Sequence, residues 1–169
     1  NSGAFTIKDR FTAERSGTTI TGDRATGNSK QRTFEAVGHV VVHQTAPLHG
    51  TSNEQNLSER PSTLYCDKLD VDGPRQIYSA YGNVHFVQEG GREATADQGT
   101  LNDKAHQLHM QGNVQIRDGE RTLDAGLVDY NTLTGDLQAQ SNVTITAPVA
   151  TPTPGPPRPT PTPKVRRHR

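Results

Sequence analysis

Tryptophan, internal disulfides and long apolar runs are all missing from this chain of 169 residues, which contains one Cys and one Met. A single Cys cannot form an internal disulfide, and no CxxC pair or Cys/His cluster suggests zinc. No stretch reaches the roughly 18 consecutive apolar residues that a transmembrane helix needs. Lys and Arg together number 18, as do Asp and Glu, so no basic excess points to nucleic acid as a partner.

Signatures of catalysis are also missing. The sequence has no GxxxxGK[ST] loop, no GxSxG elbow and no HExxH pair, which argues against ATP binding through a P-loop and against two common hydrolase mechanisms. His39 and His43 share one face of a predicted strand, but four strand residues separate them by about 13 Å, too far for one metal ion. We therefore predict no catalytic residues, no metal site and no cofactor.

The carboxyl end differs in composition from the rest of the chain. Residues 148–169 hold eight of the 11 prolines, and the five Lys and Arg residues after position 146 are accompanied by no acidic residue. Proline cannot donate to a sheet ladder or continue a helix, so we predict a disordered, extended and basic tail. We interpret its basic end as a solvated terminus. The alternative is that it binds an anionic lipid, a nucleic acid or an acidic protein.

The remainder of the chain repeats itself. The four similar segments are FEAVGHVVV (34–42), YSAYGNVHF (78–86), LHMQGNVQI (108–116) and LQAQSNVTI (137–145). Their anchor residues are Gly38, Gly82, Gly112 and Ser141, at spacings of 44, 30 and 29 residues. The longer first spacing contains an insertion, residues 45–61. Repetition at such periods is typical of an architecture built from stacked units.

Each segment alternates between an apolar and a polar face, as a β-strand with one buried face does. In the third segment the apolar set is Leu108, Met110, Gly112, Val114 and Ile116. The small residues in mid-strand have two interpretations: room for a ligand, or tight packing of the sheet and curvature of the strand. Polar residues at one offset, His39, Asn83, Asn113 and Asn142, are interpreted as a ladder on the exterior.

A second series of strands lies between these segments, anchored at Asp23, Asp67, Asp97 and Gly126 with the same spacings. Before each anchor the apolar residues lie an odd number of positions away, and after it they lie an even number of positions away. A regular strand cannot change in this way. A β-bulge or corner can, because one extra residue reverses the facing of every residue that follows. We therefore predict a bend at each anchor, where an Asp can hydrogen-bond its own backbone. Cys66 lies at one of the apolar positions of this alternation, and we interpret it as a small buried hydrophobic residue.

These patterns predict an all-β fold of about four to five two-strand repeats, forming two facing antiparallel sheets. The predicted divisions are an N-terminal strand or hairpin (1–17), the repeat domain (18–147) with the insertion 45–61, and the tail (148–169). Five strands per sheet give a length of about 25 Å.

The recurring units AYGNV (80–84), MQGNV (110–114) and AVGHV (36–40) alternate with ADQGTLN (96–102) and AGLVDYN (125–131). Alternating in this order, the units resemble the OstA-like domain of the lipopolysaccharide-transport proteins. The resemblance is stronger to LptA-like members of this group, and LptC-like members are the second candidate. The resemblance implies an open, twisted antiparallel β-jellyroll without enzymatic activity, which holds acyl chains of lipopolysaccharide or a related lipid on its inner face. It also implies association with other Lpt-type jellyroll domains by edge-strand addition, and head-to-tail self-association.

The resemblance assigns the lipid-binding inner face to specific positions. These are Val40, Val42, Val84, Phe86, Leu101, Val114, Ile116, Tyr130, Val143 and Ile145. It also implies a periplasmic location, and because the sequence begins at Asn1 we expect a signal peptide or anchor to have been removed. Two other functions stay open: a self-associating β-repeat scaffold with a closed core, and a carbohydrate-active jellyroll enzyme, which the few aromatic residues disfavour.

Overall fold

The computed structural model describes residues 2–15, 17–45 and 60–148, and within these ranges all regular secondary structure is β. The strands are β1 (Ala4–Ile7), β2 (Phe11–Arg15), β3 (Thr18–Gly22), β4 (Arg24–Asn28), β5 (Thr33–Gln44), β6 (Ser62–Asp72), β7 (Ile77–Gln88), β8 (Arg92–Asn102), β9 (Gln107–Asp118), β10 (Arg121–Asn131), β11 (Leu137–Gln140) and β12 (Thr144–Thr146). No helix in these ranges has the length and hydropathy to cross a bilayer. All of the predicted tail after Pro148 and most of the insertion 45–61 lie outside the described residues.

All twelve strands belong to one antiparallel sheet, in the order β1-β4-β5-β6-β7-β8-β9-β10-β11, with β2 paired to β3 and β12 paired to β10. The all-β, open antiparallel fold is confirmed. The two facing sheets expected from the sequence are two halves of this one sheet, because strands β5 to β10 each run through a bend and contribute to both sides. We call the two halves leaf A, which contains β1, β4 and β11, and leaf B, which contains β2, β3 and β12.

The line of bends between the leaves, which we call the crease, coincides with the predicted anchors. The pairing register shifts between Val37 and Val40, and equivalent shifts occur in each pair from β5–β6 to β9–β10. In the β5–β6 pair, two residues of β5 lie opposite the single residue Asp67. The predicted parity change is therefore a β-bulge that folds the sheet and keeps both apolar sets on its inner side.

At the crease, the anchor glycine and the residue after it both have a left-handed backbone, as Gly82 (φ 72°) and Asn83 (φ 48°) show. The Asn83 side-chain amide donates to the carboxylate of Asp67 over 2.8 Å, and Asn113 does the same to Asp97 over 3.0 Å. The Asp residues therefore bond to the next strand rather than to their own turn, contrary to the expectation from sequence. The left-handed glycines lie at the bends, which agrees with a role in the curvature of the strands.

The first and last bends carry substitutions that preserve this geometry. At the first, His39 Nδ1 takes the place of the amide and lies 2.7 Å from the carboxylate of Asp23. At the last, Ser141 replaces the glycine and keeps a left-handed φ of 65°, while Gly126 replaces the aspartate. A side chain at position 126 would meet the Cβ of Ser141 at 2.8 Å, so the missing side chain makes room for the serine.

The N-terminal residues join the same sheet in two places. β2 and β3 form a hairpin, which pairs from Phe11↔Gly22 to Arg15↔Thr18 and therefore extends beyond the predicted N-terminal unit 1–17. β1 does not extend this hairpin and instead pairs with β4 in leaf A. At the other end, the strand predicted over 137–145 is interrupted because Ser141 and Asn142 both turn the chain, which leaves the short strands β11 and β12.

Candidate functional site

The inner face of the folded sheet is an apolar trough whose floor is the crease. Small and medium-sized side chains on both leaves pack there, each at most 7% exposed. On leaf A they are Ala25, Ala36, Leu69, Ala80, Met110 and Val128, and on leaf B they are Val40, Cys66, Val84, Ala96, Val114 and Ala125. Small residues on facing surfaces let the two leaves approach closely along this line.

Above the floor, each leaf carries a row of apolar side chains in direct register across neighbouring strands, and all but Ala94 are larger than alanine. Row A on leaf A consists of Phe34, Val71, Tyr78, Leu101, Leu108, Tyr130 and Leu137. Row B on leaf B consists of Ile20, Val42, Leu64, Phe86, Ala94, Ile116, Leu123 and Ile145. Most of these side chains are only half-buried, so the two rows form apolar walls that remain open to solvent.

The two ends of the trough differ. At the β1 end, Phe34 stacks on Phe5 at 6.4 Å and meets Phe11 of leaf B edge-on at 5.7 Å, so aromatic rings fill the space between the leaves. At the β11 end, Leu137 is 41% exposed and Ile145 is 72% exposed. The trough is thus filled at one end and open at the other.

The predicted lipid-binding residues divide into three groups in this geometry. Val40, Val84 and Val114 lie in the buried floor. The half-buried walls contain Val42, Phe86 and Ile116 from leaf B and Leu101 and Tyr130 from leaf A. The last two predicted residues lie at the open end, where Ile145 belongs to row B and Val143 falls in the break between β11 and β12. Lipid contact at these positions stays a prediction.

Comparisons with known proteins give matches at the level of sequence family and at the level of structure. Residues 83–153 match the sequence model of the family described as lipopolysaccharide-assembly, LptC-related. The resemblance to lipopolysaccharide-transport proteins is confirmed. The structure is also similar to the crystal structure of LptH, described as the LptA homologous periplasmic component of the conserved lipopolysaccharide transport device from Pseudomonas aeruginosa.

The similarity to LptH is one of fold. The two chains are 12% identical, and the match covers 78% of this chain and 95% of LptH with a TM-score of 0.62. No curated protein sequence matches the chain. The LptC-related match covers the carboxyl-terminal strands, and the match to the LptA homologue covers the overall fold. The comparisons therefore include both of the member types that the sequence resembles.

Charged side chains on the outer face form surface contacts rather than a site. Lys68 Nζ lies 2.8 Å from Glu35 and 3.3 Å from Asp70, and this contact lowers the pKa of Glu35 and raises that of Lys68. At the first bend, the hydrogen bond from His39 lowers the pKa of Asp23. Among the described residues, no three His, Cys, Asp or Glu side chains come together as a metal site.

Sequence reasoning missed a polar row on the inner face of leaf B. Directly beyond row B, toward the end of the leaf, the paired residues are Gln44, Ser62, Gln88, Arg92, Asp118 and Arg121. We call this set the polar rim. The signal was present in the sequence, because each member lies two residues beyond an apolar wall residue and therefore has the same parity.

Cys66 reports on the access of water to the floor. Burial raises the pKa of its thiol to about 11, and the neighbouring Asp67 charge adds to this. Only about one thiol in a thousand is then ionised at pH 8, compared with roughly a quarter in an unfolded chain. Because the thiolate is the reactive form, we expect an aromatic disulfide reagent to modify the native protein at least about tenfold more slowly than the urea-unfolded protein. Equal rates would mean that the floor is open to water.

Proposed function

We propose that this protein is a non-enzymatic carrier of lipopolysaccharide, or a similar amphipathic lipid, across the periplasm. The acyl chains lie between rows A and B, on the floor formed by the crease. The observation that supports this is the pair of apolar walls, which continue in register across the sheet and yet stay half-exposed. Each exposed CH₂ group of a lipid in water costs about 0.8 kcal/mol, and an open apolar trough removes that cost without enclosing the cargo.

The size of the trough favours a bridge of several units. Leaf A contains nine strands, and eight intervals of about 4.8 Å give a trough roughly 40 Å long. The value of about 25 Å expected from the sequence was too short, because the strands were divided between two sheets. A trough of this length holds a lipid but does not span a compartment, so transport requires several such domains in line.

The ends of the sheet provide the means of alignment. Among the described strands, β1 and β2 form one edge and β11 and β12 the other, and the outer backbone groups of each edge pair with no other described strand. Another Lpt-type jellyroll domain, or a second copy of this chain, can add its own edge strands there and continue the trough head-to-tail. The apolar side chains exposed at the β11 end, Leu137 and Ile145, would be covered by this contact.

Site-specific photocrosslinking tests the carrier function. A photoreactive amino acid at Ile116, in row B, is compared with one at Arg117, the adjacent exposed residue on the outer face. With purified lipopolysaccharide we expect an adduct at position 116 and none at position 117. An adduct at both positions would indicate nonspecific surface binding, and no adduct at either in a folded protein would favour the scaffold with a closed core.

A further inference from the structure

The polar rim concentrates the charge of the inner face at one place. In strands β5 to β10, alternation places three charged residues on the inner face of the sheet. They are Arg92, Asp118 and Arg121. They are adjacent in register, since Arg92 pairs with Asp118 and Asp118 pairs with Arg121. Two cations and one anion leave this part of the trough with a net positive charge. The outer face, by contrast, carries charge at many positions.

Arg92 is held in place above the apolar wall. Its Nη2 donates to Asp118 Oδ2 over 3.1 Å, and its side chain is 31% exposed while that of Asp118 is 56% exposed. Its cross-strand neighbour Gln88 is 3% exposed. A guanidinium has five N–H donors in a rigid fork, so binding to one carboxylate oxygen leaves further donors for a second anion.

Arg92 and Tyr130 both belong to the inner face, on opposite leaves. Burial raises the pKa of Tyr130, which belongs to row A on the opposite leaf, and the positive charge of Arg92 opposes that rise. The alternation along β8 places Arg92 on the inner face, two residues from Ala94 of row B, and this position does not depend on the pKa. The rim lies four strand residues beyond the floor, as the separation of Val114 and Asp118 shows, which is about 13 Å in an extended chain.

We propose that the polar rim, with Arg92 as its principal ligand, binds the phosphate of a phosphorylated lipid whose acyl chains lie in the trough. This rests on the proposed carrier function and adds the headgroup chemistry that the cargo must have. Asp118 serves as the internal counter-ion of Arg92 in the empty protein. A phosphate replaces it with a more highly charged acceptor in bidentate geometry.

Two short-chain, water-soluble lipids with identical acyl chains provide the test, a phosphatidic acid and the corresponding diacylglycerol. Their binding is measured by displacement of a fluorescent fatty acid from the wild-type protein. Arg92→Gln is expected to weaken phosphatidic acid about tenfold, which is the loss of about one charge-assisted hydrogen bond, and to leave diacylglycerol within about twofold. The matched control Arg117→Gln removes a charge from the outer face and should change neither.

A second variant changes affinity in the opposite direction. Asp118→Asn removes the counter-ion that competes for Arg92, so we expect it to tighten binding of phosphatidic acid several-fold and leave diacylglycerol unchanged. A merely structural role of the ion pair predicts weaker binding of both lipids in both variants. That result would overturn the proposed headgroup site.

The remaining outcomes separate the two proposals. Equal affinity of the wild-type protein for both lipids would leave the carrier function standing and remove the headgroup site. Binding of neither lipid would contradict the carrier function itself. Inorganic phosphate serves as a third probe. If it binds in an Arg92-dependent manner while phosphatidic acid binds no better than diacylglycerol, the rim is a site for free anions and the lipid-headgroup proposal falls.

Discussion

Replacing Gly112 by serine should destabilise the protein by about 2–3 kcal/mol and lower its Tm by roughly 10 °C. Gly112 has a φ of 79°, and an added Cβ would overlap the carboxylate of Asp97. The serine would therefore impose backbone strain, displace Asp97 and weaken its hydrogen bond to Asn113. Urea unfolding followed by far-UV circular dichroism measures the loss, since the chain has no tryptophan.

Gly119→Ser is the matched control for this substitution. Gly119 also has a left-handed backbone, with a φ of 60°, but nothing lies within 4 Å of an added Cβ. Its cost should be limited to the strain of the left-handed region, about 1 kcal/mol. If both serine variants lose the same stability, the contact between the glycine and the aspartate contributes nothing to the bend.

The last bend of the protein supplies a rescue for Gly112→Ser. There, Ser141 is opposite Gly126, so the serine and the small residue have exchanged places. The double variant Asp97→Gly, Gly112→Ser reproduces that arrangement at the preceding bend. We expect it to be more stable than the sum of the two single effects predicts, by about 1–2 kcal/mol. Strict additivity would mean that the two positions do not compensate each other.

Val114→Asp should prevent folding, with a cost above about 4 kcal/mol. Val114 is 1% exposed at the floor of the trough, so the carboxylate would be buried among apolar side chains. Gln111→Asp, on the exposed side of the same strand, is the control and should change the free energy of unfolding by less than about 0.5 kcal/mol. A folded Val114→Asp variant would mean that the floor is hydrated.

The walls should respond differently from the floor. Ile116→Asp places the same charge two residues away in half-buried row B, where the carboxylate reaches water. We expect this variant to keep the circular dichroism spectrum of the native protein and to lose crosslinking to lipopolysaccharide. Loss of folding in both variants would indicate that the walls belong to a closed core.

The alternation of apolar residues was enough to predict the strands and the inner face. The parity change around Asp23, Asp67 and Asp97 was enough to place the bends, because a bulge is a local event that reverses the facing of every following residue. The partner of each aspartate could not be predicted. It is an Asn or His 16 residues later, and their contact depends on the left-handed backbone at the glycine.

The openness of the trough was not contained in the sequence pattern either. The same alternation describes Val114, which is buried, and Ile116, which is half-exposed, because the depth of a position depends on the angle between the leaves. The polar rim could have been predicted from parity alone by extending row B from Ala94 to Arg92 and from Ile116 to Asp118.

From β5 to β11, the order of strands in the sheet is their order along the chain, and each of the strands β6 to β9 bonds only to the strands directly before and after it. A molecule built this way is thermodynamically a linear array, in which stability is a sum of unit energies and nearest-neighbour couplings. Removing or duplicating one two-strand unit, about thirty residues, changes the number of units in that sum. The interaction between each remaining pair of neighbouring units is unchanged. The length of the trough can therefore vary in evolution or by design in steps of about 10 Å, the width of two strands, without redesign of the bends.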